Sequence, residues 1–346
     1  MIDLRSDTLT LPEKRMIDNI DIRKLGDDGR DDCFGRGEDS LVNELENLAA
    51  KLTGKEAALF FPTGTMANHA ALLSFCKRGN SLALDPTMHM YISEKIVFDD
   101  DYFGMKPAFY ELNSRKKPDI DSLWELVKTR SPVLICIENT HNYGGGICLS
   151  PDEIKKIRNL AGDEIPIFMD GARIFNAAVS LHTSVEKLCE NVDAVSFCLS
   201  KGLGAPIGSL LCGNKEMILK ARRIRKLLGG TMRQAGVAAA AGLIALEESN
   251  IKRLEEDHSN ARILKEGIAA NEYIRLDTQS VQTNIVTFEL DHPLYDAAAL
   301  IEILKEKGVR VKKILRNSIR MTTYKGISQK DVEKVVEIIN ETLTDY

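Results

Sequence analysis

Six short apolar runs, separated by helical patterns, limit this chain to few architectures. They are AALFF (57–61), SLALD (81–85), PVLICIE (132–138), IPIFMD (165–170), DAVSFCL (193–199) and GSLLC (208–212). Their length and their β-branched and aromatic content suit buried strands of a mostly parallel sheet. One intervening helix, SPDEIKKIRNLA, announces its own start. Ser150 can be its N-cap, Pro151 its first residue and Glu153 the returning acid of a capping box. The expected fold class is therefore α/β.

Beyond about residue 250 the pattern changes to long amphipathic helices around less regular strands, TNIVTFEL and SIRMTT. That predicts a large domain over 1–250, its N-terminal segment contributing to the site, and a smaller C-terminal α+β domain over 251–346. The stretch AGVAAAAGLIALEE (235–248) would connect them, and with no flexible linker the two should share an interface. A chain of 346 residues with 44% hydrophobic and 28% charged residues has ordinary globular composition. No run reaches the roughly 18 apolar residues of a membrane helix. The opening MIDLRSDTLT has no apolar signal core, and seven cysteines without framework spacing suit reduced thiols, so a cytoplasmic protein is expected. A formal net charge of −5 gives no reason to expect nucleic acid as a partner. The basic run ARRIRK (221–226) reads equally as a solvated helix face.

Three stretches carry chemistry. FPTGTMANHAALLSF (61–75) puts a strand end, a turn at Gly64 and a helix in sequence. The amides of Gly64, Thr65 and Met66 would form an anion site at the positive helix end, with the Thr65 hydroxyl adding a bond; a plain helix cap is the alternative. IPIFMDGAR ends an apolar strand on Asp170, with Arg173 one turn later. A carboxylate there lies where parallel sheets bind ligands, or it is one half of a structural ion pair with Arg173. In SFCLSKGLGAPIGS (196–209), Lys201 sits between an apolar strand and a glycine-rich loop. The glycines give GxGxxxG, which is not a dinucleotide fingerprint. A structural lysine would have polar neighbours. Burial behind Phe197 and Leu199 suits a Schiff-base lysine made nucleophilic by desolvation. Cys136, His141 and Cys148 match no common zinc spacing and read as core residues, so no metal is expected.

The blocks DLRSDT (3–8), FPTGTMANH (61–69), ENTHNYGGG (138–146), DGARIFNAA (170–178), SFCLSKGLGAPIGSLL (196–211) and LGGTMRQAG (228–236) occur in one order along nearly the whole chain. In them the sequence resembles the threonine aldolase family. The resemblance implies pyridoxal 5'-phosphate as cofactor and a fold type I architecture whose large domain has a mostly parallel seven-stranded sheet. It also implies a homo-oligomer, dimer or tetramer, with sites shared between subunits.

Roles follow for matching positions. Lys201 would bond the cofactor aldehyde, Asp170 would pair with the ring nitrogen, Arg173 would approach the phenolic oxygen, and His89 would stack on the ring. Gly64, Thr65 and Met66 would bind the phosphate, with Arg233 reaching across from a neighbouring subunit. Ser6, Arg173 and Arg320 would hold the substrate carboxylate, Arg320 through a two-pronged bond. The catalytic set would be Lys201, His89, Asp170 and Arg173. The implied reaction splits a β-hydroxy-α-amino acid of the threonine or allo-threonine type into glycine and an aldehyde. Racemisation or β-elimination at the same site are the alternatives.

Three departures from the family pattern fall on the substrate side. Where the family reads GDDVYGED, this chain has GDDGRDDCFGRGED, which puts Phe34 or Arg36 in the place of a tyrosine. The stretch before ENTHN has no histidine, and the ending R-x-V-T-H is Arg320-Met-Thr-Thr-Tyr324 here. His89, His141, Tyr91, an ordered water or Cys33 would then have to serve as the base, and a substrate or reaction other than plain threonine cleavage is expected.

Overall fold

Every marked apolar run becomes a strand, with ends that differ by a residue or two. The computed structural model describes residues 1–18, 20–30, 36–314 and 317–344. In chain order its strands begin with β1 (Ile2–Asp3), β2 (Ala57–Phe61), β3 (Ser81–Leu84), β4 (Lys106–Phe109), β5 (Leu134–Glu138), β6 (Ile167–Asp170), β7 (Ala194–Cys198) and β8 (Ser209–Gly213). The C-terminal part adds β9 (Ile274–Arg275), β10 (Ile285–Leu290), β11 (Val309–Arg310), β12 (Lys312–Lys313) and β13 (Ser318–Thr322).

Seven strands form one sheet in the order β2-β8-β7-β6-β5-β3-β4. All neighbours are parallel except at β8, which runs against both β2 and β7. Helices cover both faces, so alternate residues of one strand enter different cores. Ile135 and Ile137 pack on one side, Leu134 and Cys136 on the other. The apolar pattern did not mark β4, which is half exposed and contains Pro107. A proline is tolerated there because β4 is an edge strand, where a missing N–H breaks no ladder.

The sheet register sets the site. Glu138 lies beside Asp170, and Asp170 beside Ser196, so three strands end at one level. The crossover helix Pro151–Ala161 starts as the sequence requires, with Ser150 as N-cap, Pro151 at its head and both capping-box bonds formed. The basic run ARRIRK behaves differently from either expectation. Arg222 and Arg225 are buried, Arg222 paired with Glu46 at 3.0 Å and Arg225 with Asp28 at 2.7 Å. These two cations are consumed internally and present no charge to a polyanion.

The C-terminal part has a second core around the antiparallel sheet β12-β13-β10-β9. Helices Leu254–Ile268, Ala297–Glu306 and Gln329–Thr344 cover it through Leu264, Leu300 and Val335. The chain's first residues join this core. Strand β1 pairs in parallel with β11, and Leu4 is fully buried among the C-terminal apolar side chains. Residues 5–10 then run back toward the large sheet. Among the described residues no helix is long and apolar enough to cross a membrane.

Candidate active site

A cavity of about 260 Å³ opens at the level where β6 and β7 end. Gly64, Thr65, His89, Asp170, Cys198 and Lys201 all line it. The helix Gly64–Phe75 starts at its wall, and the first amides of a helix have no carbonyl one turn back to bond. The Met66 amide is taken by the Thr63 hydroxyl at 3.2 Å, so Thr63 is the N-cap. The Thr65 hydroxyl donates to Glu94 Oε1 at 2.8 Å. Of the expected anion donors, the Gly64 and Thr65 amides are therefore the ones left open. A Cβ at position 64 would sit 2.9 Å from Cys198 Sγ, so any larger residue there would have to displace that side chain.

Asp170 is buried, and its partner is not Arg173. Its Oδ2 accepts from Asn68 Nδ2 at 3.0 Å and its Oδ1 from the Ala172 amide at 3.0 Å. Asn68 is oriented in turn by the Ser196 hydroxyl, which donates to its Oδ1 at 2.7 Å. The same Nδ2 also donates to Glu94 Oε2 at 3.1 Å, so one amide spans two buried carboxylates. Glu94 lies 3.4 Å from His89 Nδ1, and that contact raises the His89 pKa above its ordinary value. The His89 amide donates to Glu138 Oε2 at 2.7 Å, which fixes the start of the short helix His89–Ser93.

Arg173 is buried in a two-pronged pair with Asp7, Nε to Oδ2 at 2.6 Å and Nη2 to Oδ1 at 2.7 Å. Burial pushes the Asp7 carboxyl up, but the Arg173 cation outweighs it and holds the group at about 2. Asn142 Oδ1 accepts from Arg173 Nη1 at 3.2 Å and from Arg320 Nη1 at 2.8 Å, bridging the two guanidinium groups. Among the described residues, Arg320 is buried without a carboxylate partner. It reaches the Arg5 carbonyl at 3.2 Å, and its Nε has no hydrogen-bond partner among them. Burial and the neighbouring Arg173 cation pull its pKa down to about 10. A buried cation in that state is a receptor for an anion. Ser6 lies at the same chain turn, where its hydroxyl oxygen accepts from the Thr8 amide at 3.2 Å.

Lys201 is half-buried on the cavity wall and takes part in no salt bridge among the described residues. Phe197 and Leu199, the two apolar residues before it, are core side chains. Arg233 is elsewhere: it is 71% exposed and bonds both oxygens of Asp27. Of the expected bases, His141 is committed, its Nε2 bonded to Asp85 at 3.1 Å and its Nδ1 accepting from the Gly144 amide at 2.8 Å. Tyr91 packs edge-on against Phe98 and Phe109 and does not line the cavity. Arg36 lines a separate cavity with Glu46 and Arg222, while Cys33 and Phe34 lie outside the described residues. Cys136 and Cys148 are core residues.

Asp7, Asn68, Glu94, Glu138 and Asn142 had no place in the reading of the sequence. Each works through a contact made at long sequence separation, and Asp7, Asn68, Glu138 and Asn142 had only their membership of DLRSDT, FPTGTMANH and ENTHNYGGG to signal them.

The beta-eliminating lyase family model matches residues 3–291. The low specificity L-threonine aldolase of Escherichia coli O157:H7 is 37% identical, covering 97% of this chain and 97% of its own length. Low-specificity L-threonine aldolase 1 of Arabidopsis thaliana is 34% identical over 99% of this chain and 96% of its own. Among solved structures, the Leishmania major threonine aldolase superposes with a TM-score of 0.81, covering 99% of this chain and all of that one. Its 17% identity makes that a likeness of fold alone. With a family model spanning most of its length and relatives matched nearly end to end, this chain belongs to the beta-eliminating lyase family and, within it, to the threonine aldolases.

Proposed function

We propose that the protein is a pyridoxal 5'-phosphate-dependent aldolase that cleaves a β-hydroxy-α-amino acid, of the threonine or allo-threonine type, to glycine and an aldehyde. One observation carries the reading. Lys201, in no salt bridge among the described residues, shares a cavity with Asp170 and an open helix N-terminus, while Arg320 stands buried with only neutral hydrogen-bond partners among them. These residues fit the cofactor: the Gly64 and Thr65 amides for its phosphate, Asp170 for its ring nitrogen, His89 for its ring face and Lys201 for its aldehyde. When bound, pyridoxal phosphate supplies an aldehyde for amines and a protonated ring that draws electrons from the substrate Cα.

The chain's own residues do the rest. Asp170, anchored by Asn68, would face the ring nitrogen and hold a proton there. Arg320 takes the substrate carboxylate in a fork, with the Ser6 hydroxyl beside it, and so fixes the substrate's rotation about Cα. That rotation decides which bond at Cα breaks. His89 is the candidate base for the β-hydroxyl proton, because its ring is on the cavity wall while His141 and Tyr91 are engaged elsewhere. Arg173, neutralised by Asp7, would serve the cofactor's phenolic oxygen, leaving Arg320, in no salt bridge among the described residues, for the carboxylate.

The same reading includes two domains, 1–250 and 251–346, and a cytoplasmic homo-oligomer in which exposed Arg233 serves a neighbour's cofactor phosphate. Purified protein supplied with pyridoxal phosphate and a panel of L-amino acids tests it, scoring glycine, aldehyde, keto acid and D-enantiomer together. Glycine and aldehyde in equal amounts from L-threonine or L-allo-threonine are expected, in place of the different substrate or reaction that the departures in the sequence suggested, because the relatives matched nearly end to end are named low-specificity L-threonine aldolases. Keto acid or D-enantiomer without glycine would contradict the aldolase assignment.

A further inference from the structure

Behind Lys201, the first turn of the helix Leu254–Ile268 holds a second group of buried polar contacts. Arg253 donates from Nη1 to Asp257 Oδ1 at 2.9 Å and from Nη2 to Asp257 Oδ2 at 3.3 Å. Its Nη2 also donates to the Gly202 carbonyl at 2.8 Å, one residue beyond Lys201. The next carbonyl, Leu203, accepts from Asn250 Nδ2 at 2.9 Å. The approach is close, since a Cβ on Gly202 would lie 3.1 Å from Leu254 Cδ2.

The same turn reaches two more segments of the site. Asn176, on the helix that Arg173 opens, donates from Nδ2 to His258 Nε2 at 3.1 Å. Burial pulls the His258 pKa down to about 4, so its ring stays neutral and that nitrogen stays an acceptor. The Thr323 hydroxyl donates to the Asp257 carbonyl at 2.6 Å, three residues after Arg320. One helical turn therefore holds the Gly202 peptide after Lys201 and the side chains of Asn176 and Thr323, three residues after Arg173 and Arg320. Asp257 itself is 1% exposed, and burial pushes its carboxyl up to about 6 despite the Arg253 cation. A largely buried ion pair kept at that cost adds little to stability, but it fixes the direction of a guanidinium as an apolar pair could not.

We propose that Arg253, oriented by Asp257, is a positioning residue for Lys201, pinning the 201–204 loop through the Gly202 carbonyl and tying it to the strand that carries Arg320. The inference rests on Lys201 being the cofactor lysine. Its action is through the loop, and it touches neither substrate nor cofactor.

Full-length Arg253→Gln, Arg253→Lys and Asp257→Asn test it with two kinds of readout. The first is amide hydrogen exchange of residues 200–205 without cofactor. The second is pyridoxal phosphate affinity by absorbance titration, with kcat and KM for L-threonine. Losing a charge-assisted bond should speed exchange in 200–205, weaken cofactor affinity and lower kcat by about tenfold each in Arg253→Gln, with KM changed less than about threefold. Arg253→Lys should recover part of each effect, and Asp257→Asn should act in the same direction. If Arg253→Gln fails to fold, Asp257→Asn, which keeps the guanidinium, decides the matter. Wild-type exchange in 200–205 together with wild-type kcat, or a loss of protection spread evenly over the molecule, would overturn the proposal. Failure of the wild-type protein to bind pyridoxal phosphate at Lys201 would instead overturn the functional reading, while the exchange result would still judge the loop contact.

Discussion

Asp7 is fully buried, and its depressed pKa of about 2 makes it a source of pH-dependent stability. A carboxyl whose folded pKa lies below its unfolded value stabilises the fold above the unfolded value, and the gain is lost as pH falls through the folded one. For Asp7 that window runs from about pH 4 down to about pH 2, and the gain is about 2 kcal/mol. Asp7→Asn would leave Arg173 buried without its counter-charge, a change that costs about 3–5 kcal/mol. Urea unfolding at pH 7 should show that loss, and the gap between wild type and variant should narrow by about 2 kcal/mol as pH falls through 2, without closing. Equal stabilities at pH 7 would mean that the pair is energetically idle. Nothing in the sequence foretold the pairing. DLRSDT offered two acids, DGAR offered an arginine, and only the folded chain brings Asp7 and Arg173 together across 166 positions. The alternative the sequence did offer, Asp170 with Arg173, failed because Asn68 and the Ala172 amide reach Asp170 instead.

At the level of elements, what is decided locally could be read from the sequence. Ser150-Pro151-Asp152-Glu153 fixes a helix start within four residues, and the capping box forms in full. Ser150→Ala should lower stability by about 1 kcal/mol and leave kcat unchanged, since the cap lies away from the cavity. A matched urea titration and activity assay check both halves of that statement. The five buried strands of the sheet's middle and its β2 edge were legible because apolar content alone identifies them. Strand β4 was not, because Pro107 and half-exposure erase that signal at an edge. Helix Lys215–Leu227 shows a different limit. Its arginines read as a surface, yet Asp28 and Glu46 draw Arg222 and Arg225 inside. A charge run reveals its burial only when the partner carboxylates are in view.

Across the whole molecule, the candidate site lies where the two cores meet. Lys201 and Asp170 come from the large sheet, Arg320 from β13, and Ser6 and Asp7 from a segment leaving the C-terminal core. The order of these residues was legible in the sequence blocks, but their distances depend on that junction. Arg233 is the exception within one chain, being exposed and held by Asp27. If it completes a neighbour's site, Lys201→Ala and Arg233→Ala should each be inactive alone. After mixing and subunit exchange in a symmetric dimer, about a quarter of wild-type activity should return, because half of the dimers are mixed and each has one intact site. No recovery on mixing would mean that Arg233 does not complete a neighbour's site. The central claim is covalent use of Lys201. Borohydride reduction of the protein with pyridoxal phosphate, followed by peptide mass spectrometry, tests it most directly. One pyridoxyl group per chain, on the peptide containing Lys201, is the expected result. Label on another lysine, or none at all, would contradict it.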